Sequence, residues 1–185
     1  MPTLLDRLFP TWEVELTEYT TIIGTCSQVM RTVQTVTPAE MPLARILSWV
    51  RTLGMPRGER GRANVPLAEE VLRFGWVELG EVPDEEYVVG LVGRLWRHDF
   101  GVEPIDSPEA FVRFDEPGYL KVAVAYRCEP VVEGTRLTCE TRVHATDPLA
   151  LRKFRWYWRV IGVGARMTVR SGLAAIRYRV EPHAA

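Results

Sequence analysis

The 185-residue sequence predicts an α+β fold: a curved antiparallel sheet with one long C-terminal helix lying on it. Three observations carry that expectation. Apolar and polar side chains alternate with period two from Gly75 to Ala145, in runs divided by turn-forming clusters into hairpins. The segment from Asp147 to Glu181 then changes to a 3.6-residue period. Before the hairpins, one strand is followed by two short helical patterns.

Thr11 to Ile23 reads as the first strand, with Val14, Leu16, Thr20 and Ile22 on one face. Glu18 interrupts that face. A bulge or a solvent-facing carboxylate is the preferred reading over one aimed inward, because buried carboxylates are rare. Ser27 can cap a helix carrying Val29, Met30 and Val33, which Pro38 and Pro42 break. Leu43, Ile46, Leu47, Val50 and Leu53 mark a second helix ended by Gly54. Met55 to Asn64, with Arg57, Arg60 and Arg62, reads as a solvated loop, or alternatively as a lid or anion contact beside a ligand mouth. VPLAEEVLRF can add a helical turn or two.

WVELGEV, the turn PDEE and YVVGLVGRLWR form a hairpin, with Gly90 and Gly93 marking close approach or bending. His98 to Pro108 connects to AFVRFD and YLKVAVAYRC, which flank the turn EPG as a second hairpin. A turn at Glu133–Gly134 would set Arg127 opposite Glu140, Ala125 opposite Arg142, Tyr126 opposite Thr141 and Val124 opposite Val143. Polar residues, among them His144, then share a solvent face and apolar ones an inner face. The same register sets Cys128 opposite Cys139, as two buried thiols or a disulfide. Pro130 cannot donate to a ladder and argues for a bulge or slip near this turn.

The last helix has Asp147 as N-cap and Pro148 at its first position. Phe154, Tyr157, Trp158, Ile161, Ala165, Thr168, Val169 and Ile176 fall on one side. Arg152, Arg155, Arg159, Arg166, Arg170 and Arg177 fall within an arc of roughly 60° on the other. Gly162, Gly164 and Gly172 each cost about 1 kcal/mol relative to alanine and leave open a bend or a close approach to the sheet.

Composition bounds the rest. A net charge of -1 gives no general pull toward nucleic acid or membranes, so the basic helix face is a local feature. Three cysteines without metal spacing point to reduced thiols. MPTLLDRLFP has no long apolar core of a signal peptide, and arginines every few residues exclude a bilayer span from the last helix. A cytoplasmic protein forming one domain over residues 1–185, with its core at about 13–181, is the expectation.

WVELGEVPDEEYVVGLVGRLWR, EPGYLKVAVAY and GTRLTCETRVHATDPLALRKFRWYW resemble bacterial members of the START/Bet v 1-like superfamily, also described as SRPBCC or polyketide cyclase/dehydrase-like. The resemblance runs from about Glu13 to Glu181 and implies the helix-grip fold. It implies a deep, mainly apolar cavity between sheet and C-terminal helix that binds lipids, polyketides, hormones or other hydrophobic molecules. Some members catalyse cyclisation or dehydration, but no catalytic motif transfers residue by residue.

The alternation nominates Val122, Val124, Tyr126, Cys139, Thr141 and Val143 from the sheet, and Phe154, Trp158, Ile161 and Ala165 from the helix, as the lining. Tyr126 and Thr141 are its polar handles. Glu18 and His98, the latter beside Asp99, are further polar candidates; with Tyr126 they are the nominees for acid–base work in an enzyme. No catalytic residue, metal site or cofactor is assigned. The expected partner is a small hydrophobic ligand, and no nucleic acid. The arginine face is either solvated or a contact for an anionic surface or a protein. A cyclase- or dehydratase-type enzyme, and an interaction protein with a filled core, are the competing classes.

Overall fold

A computed structural model describes residues 2–41 and 64–181. The helix expected over Leu43–Leu53 and nearly all of the Met55–Asn64 loop lie outside the described residues. Helix α1 (Leu4–Leu8) precedes β1 (Val14–Ile22), α2 (Cys26–Thr35) and a single 3-10 turn (Pro38–Glu40). Then follow α3 (Leu67–Arg73), β2 (Val77–Val82), β3 (Glu86–Gly93), α4 (Pro108–Arg113), β4 (Leu120–Val131), β5 (Gly134–Ala145) and α5 (Pro148–Val180). The five strands form one antiparallel sheet in the order β1-β5-β4-β3-β2, with α5 crossing one face: the helix-grip arrangement.

Helix α5 is a continuous 33-residue helix. The Asp147 carboxylate accepts from the backbone N–H groups of Leu149 and Ala150, and also from Gly118, which fixes the helix start to the turn before β4. Gly172 is a close approach rather than a bend: a Cβ there would sit 3.0 Å from the Met41 methyl. Helix α2 begins two residues earlier than its expected Ser27 cap. Thr25 and Gln28 form a capping box that satisfies both backbone ends.

The β4–β5 ladder differs from expectation by two residues. Its turn is at Val132–Glu133, so Tyr126 faces Cys139, Val124 faces Thr141, Val122 faces Val143 and Cys128 faces Leu137. A two-residue slip leaves every side chain on its expected face. It does remove the Arg127–Glu140 pair and the Cys128–Cys139 opposition, and all three cysteines are free thiols. Pro130 needs no bulge. The Cys128 N–H donates to Glu85 on the β3 side, so two residues later the missing donor of Pro130 points the same way, where β3 has ended.

AFVRFD is not a strand. Its first four residues, 110–113, fall in α4, capped by the Ser107 hydroxyl with Pro108 at the first turn. This helix and α1 cover the sheet face opposite α5, so helices lie on both sides, not one. Leu5, Phe9, Leu79, Val88, Val92, Phe111, Ala123 and Ala125 form a second core there. Gly90 is required for it: a Cβ would meet Leu79 at 2.7 Å and Phe111 at 2.8 Å. Lys121 is buried on this face, with its ammonium donating to the Val112 carbonyl at 2.8 Å and 5.2 Å from the Phe111 ring centroid.

The face that the sequence assigns to solvent is therefore partly interior. Arg142 is 5% exposed. Its guanidinium donates to Asp6 at 2.7 Å, to Glu140 at 2.6 Å and to the Phe9 carbonyl at 3.1 Å, and lies 3.8 Å from the Trp12 ring centroid. Glu86, also buried, accepts from the backbone N–H groups of Leu4 and Leu5 at the start of α1. His144 is half-buried against Glu13 at 3.0 Å.

The Asp6 carboxyl is held down to about 2, first by the Thr3 backbone N–H and then by Arg142. A depressed carboxyl adds stability above its unfolded value of 3.8 and loses it as pH falls toward 2. Wild type is therefore expected to exceed Asp6→Asn by about 1 kcal/mol in urea unfolding at pH 6, the scale of a partly exposed charged pair. The gap should close between pH 3.8 and about 2; a gap independent of pH would refute the pairing.

Candidate functional site

The sheet face under α5 is built of rows of side chains, one residue from each of β1, β5, β4 and β3. Val14, Val143, Val122 and Leu91 form one row, and Leu16, Thr141, Val124 and Val89 the next. The third is polar: Glu18, Cys139, Tyr126 and Tyr87. On the helix, Phe154, Trp158, Ile161, Ala165 and Ile176 share the facing side.

Along this space the packing is complete toward both ends and partial between. Toward the start of α5, Leu120, Val122, Val143, Ala145, Ala150 and Phe154 form one packed core. Toward its end, Ile22, Cys139, Leu173 and Ile176 belong to another. Between them Val124, Tyr126 and Thr141 on the sheet, and Trp158, Ile161, Ala165 and Val169 on the helix, are only half-buried. Trp76 and Val124 touch both cores and span the gap. Of the ten residues expected to line a cavity, Val122, Val143, Cys139 and Phe154 are buried members of these two cores. The other six are half-buried between them. Trp76 and Val169 join them unforeseen, although Val169 sits on the apolar side of the helix by periodicity alone.

The polar candidates are not brought together. Glu18 is on the inner face of an unbulged β1, where it pairs with Arg166 at 3.1 Å and Arg170 at 2.8 Å. Two arginines of the basic stripe thus reach inward over the strand edge. Tyr126 lies in the middle of the sheet. Its hydroxyl is raised well above its ordinary value by the neighbouring Cys139 and by burial. Burial pushes the Cys139 thiol up to about 12. Both shifts favour the neutral forms, which can donate and accept hydrogen bonds. Among the described residues, no cluster of His, Cys, Asp or Glu could hold a metal ion.

His98 lies elsewhere, in an open groove at the start of α5 lined by Arg94, Trp96, Arg97, Gly118 and Lys153. Arg97 takes both carboxylate oxygens of Asp99, at 2.9 and 2.8 Å, which leaves the imidazole without the orienting partner its neighbour could have supplied. Lys153 extends its ammonium 5.6 Å from the Trp96 ring centroid. Among the described residues, no helix is long and apolar enough to cross a membrane.

No family model matches the chain, and no curated protein is similar to it. Several solved structures are. A protein of Mesorhizobium loti is 11% identical over 91% of this chain and 100% of that one, with a TM-score of 0.44. One of Chromobacterium violaceum is 12% identical over 91% and 98%, with a TM-score of 0.40. One of Nitrosomonas europaea is 10% identical over 90% and 96%, with a TM-score of 0.41.

Proposed function

We propose that the chain is a binding protein of the START/Bet v 1-like kind that holds a small apolar molecule, such as a lipid, polyketide or aromatic metabolite, between its sheet and α5. The observation that carries this reading is the half-exposure of Val124, Trp158, Ile161 and Ala165 between two fully packed cores. Partly exposed apolar side chains on facing elements gain from anything greasy that displaces the water against them. Covering roughly 200 Å² of apolar ligand surface is worth about 5 kcal/mol before the costs of association. Tyr126 and Thr141 supply the few polar contacts that fix orientation. Binding is favoured over catalysis because Glu18 is occupied by two arginines and His98 stands in a different groove.

Native mass spectrometry of freshly purified protein should find a co-purifying apolar molecule. With a fluorescent apolar probe, Trp158→Ala is expected to weaken binding at least about tenfold, the effect of losing an aromatic wall. Arg155→Ala, on the outer side of the helix, should leave binding unchanged. Equal losses in the two variants would contradict the assignment of the cleft.

A further inference from the structure

Helix α5 carries a second apolar stripe, on the side turned away from the sheet. Leu149, Trp156, Val160, Val163 and Met167 recur at intervals of three, four and seven residues and fall within a narrow arc. Trp156 is 66%, Val160 81% and Val163 71% exposed. Buried side chains of this type stabilise a fold, and exposed ones in a continuous line call for another explanation. From Leu149 to Met167 the stripe is straight and about 27 Å long at the α-helical rise.

The charges beside it have one sign. No Asp or Glu occurs anywhere in α5. Arg166 and Arg170 are drawn toward Glu18, and Arg177 is 3.0 Å from Glu181. Arg152, Arg155 and Arg159 remain exposed along one edge of the stripe, with Lys153 on the other. The Arg159 guanidinium lies 5.0 Å from the Trp156 ring centroid, so an amphipathic ring and a cation share the border between apolar and charged surface.

We propose that this face docks α5 on an anionic lipid bilayer. The apolar stripe would enter the headgroup and acyl boundary, with the arginines on the phosphates and Trp156 at the interface. Charge decides against a second copy of the chain as occupant. Packing α5 on itself would set one arginine row against another with no carboxylate from either helix to offset it. An acidic protein would match the charge. A straight line of exposed apolar side chains along the convex surface of one helix matches a plane better than a shaped partner. The proposal stands on observations separate from the cleft.

Co-sedimentation with vesicles of phosphatidylcholine, with and without phosphatidylglycerol, tests it. Wild type should bind the anionic vesicles, release them as salt is raised, and ignore pure phosphatidylcholine. The triple variant Arg152→Gln, Arg155→Gln, Arg159→Gln should lose roughly two orders of magnitude in partitioning, and Trp156→Glu with Val163→Glu should abolish it. These positions are exposed, so unchanged thermal unfolding and unchanged uptake of an apolar probe by the variants separate a docking defect from a failure of the cleft. No binding to anionic vesicles at low salt would overturn the proposal, as would equal binding to neutral ones or wild-type binding by both variants. A dimer in sedimentation analysis that Trp156→Glu dissolves would overturn it in favour of self-association.

Discussion

Arg142→Ala is expected to lower the unfolding free energy by about 3–5 kcal/mol, the usual result of removing one partner from a buried ionic group. The guanidinium is 6% exposed and meets two carboxylates, Asp6 and Glu140, on different elements. Its loss leaves the Glu140 carboxylate, 16% exposed, beside an empty space and takes a hydrogen bond from the Phe9 carbonyl. It also removes the cation that lies against the Trp12 ring. Since Asp6 and Phe9 belong to the segment that roofs the second core, α1 should loosen before the sheet does. Urea unfolding followed by far-UV circular dichroism measures the total. Limited proteolysis within residues 2–12 reports the local release. A loss below about 1 kcal/mol would mean that the clamp behaves as an ordinary surface contact.

Phe154→Ala should cost a similar amount, about 3–5 kcal/mol, by a different route. The ring is 1% exposed, and its centroid is 5.5 Å from that of Trp158 and 6.1 Å from that of Tyr157. In the proposed binding mode it closes the cleft at the start of α5. On that reading truncation leaves a void continuous with the proposed cleft, so the variant should be less stable yet accept a longer apolar probe than wild type does. Calorimetric unfolding together with probe-length titration reads both effects. Lower stability with unchanged length preference would show that Phe154 is packed in a compartment sealed from the cleft.

What could be read from the chain follows its periodicities. Two-residue alternation assigned the inner faces of β4 and β5 correctly even though the register was two residues out, because face depends only on parity. Asp147 and Pro148 marked the start of α5, and Gly90 the close approach that Leu79 and Phe111 impose. Contacts distant in sequence were not legible. Arg142 alternates as a surface residue, and only the return of α1 over that face buries it. Five residues make too short a helix to declare themselves by pattern, although Thr3 and Asp6 form a capping box. Phe111 and Arg113 mimicked a strand while Ser107 and Pro108 were announcing a helix. Glu18 violated the rule for its face because its counter-charges come from about 150 residues away, on α5.

The position of β1 at the sheet edge also governs how the chain can assemble as it is synthesised. Val14 pairs with Val143, and among the described residues β1 has no other strand neighbour. At typical elongation rates of about 5–20 residues per second, the first strand emerges roughly 10 s before the hairpin it must join. Throughout that wait its apolar residues Leu16 and Ile22 have no native strand to pair with. Such non-local closure slows folding and makes the nascent chain a substrate for chaperones during that interval. Moving β1 behind α5 by circular permutation would shorten the wait, and faster refolding of the permuted chain is the expected sign.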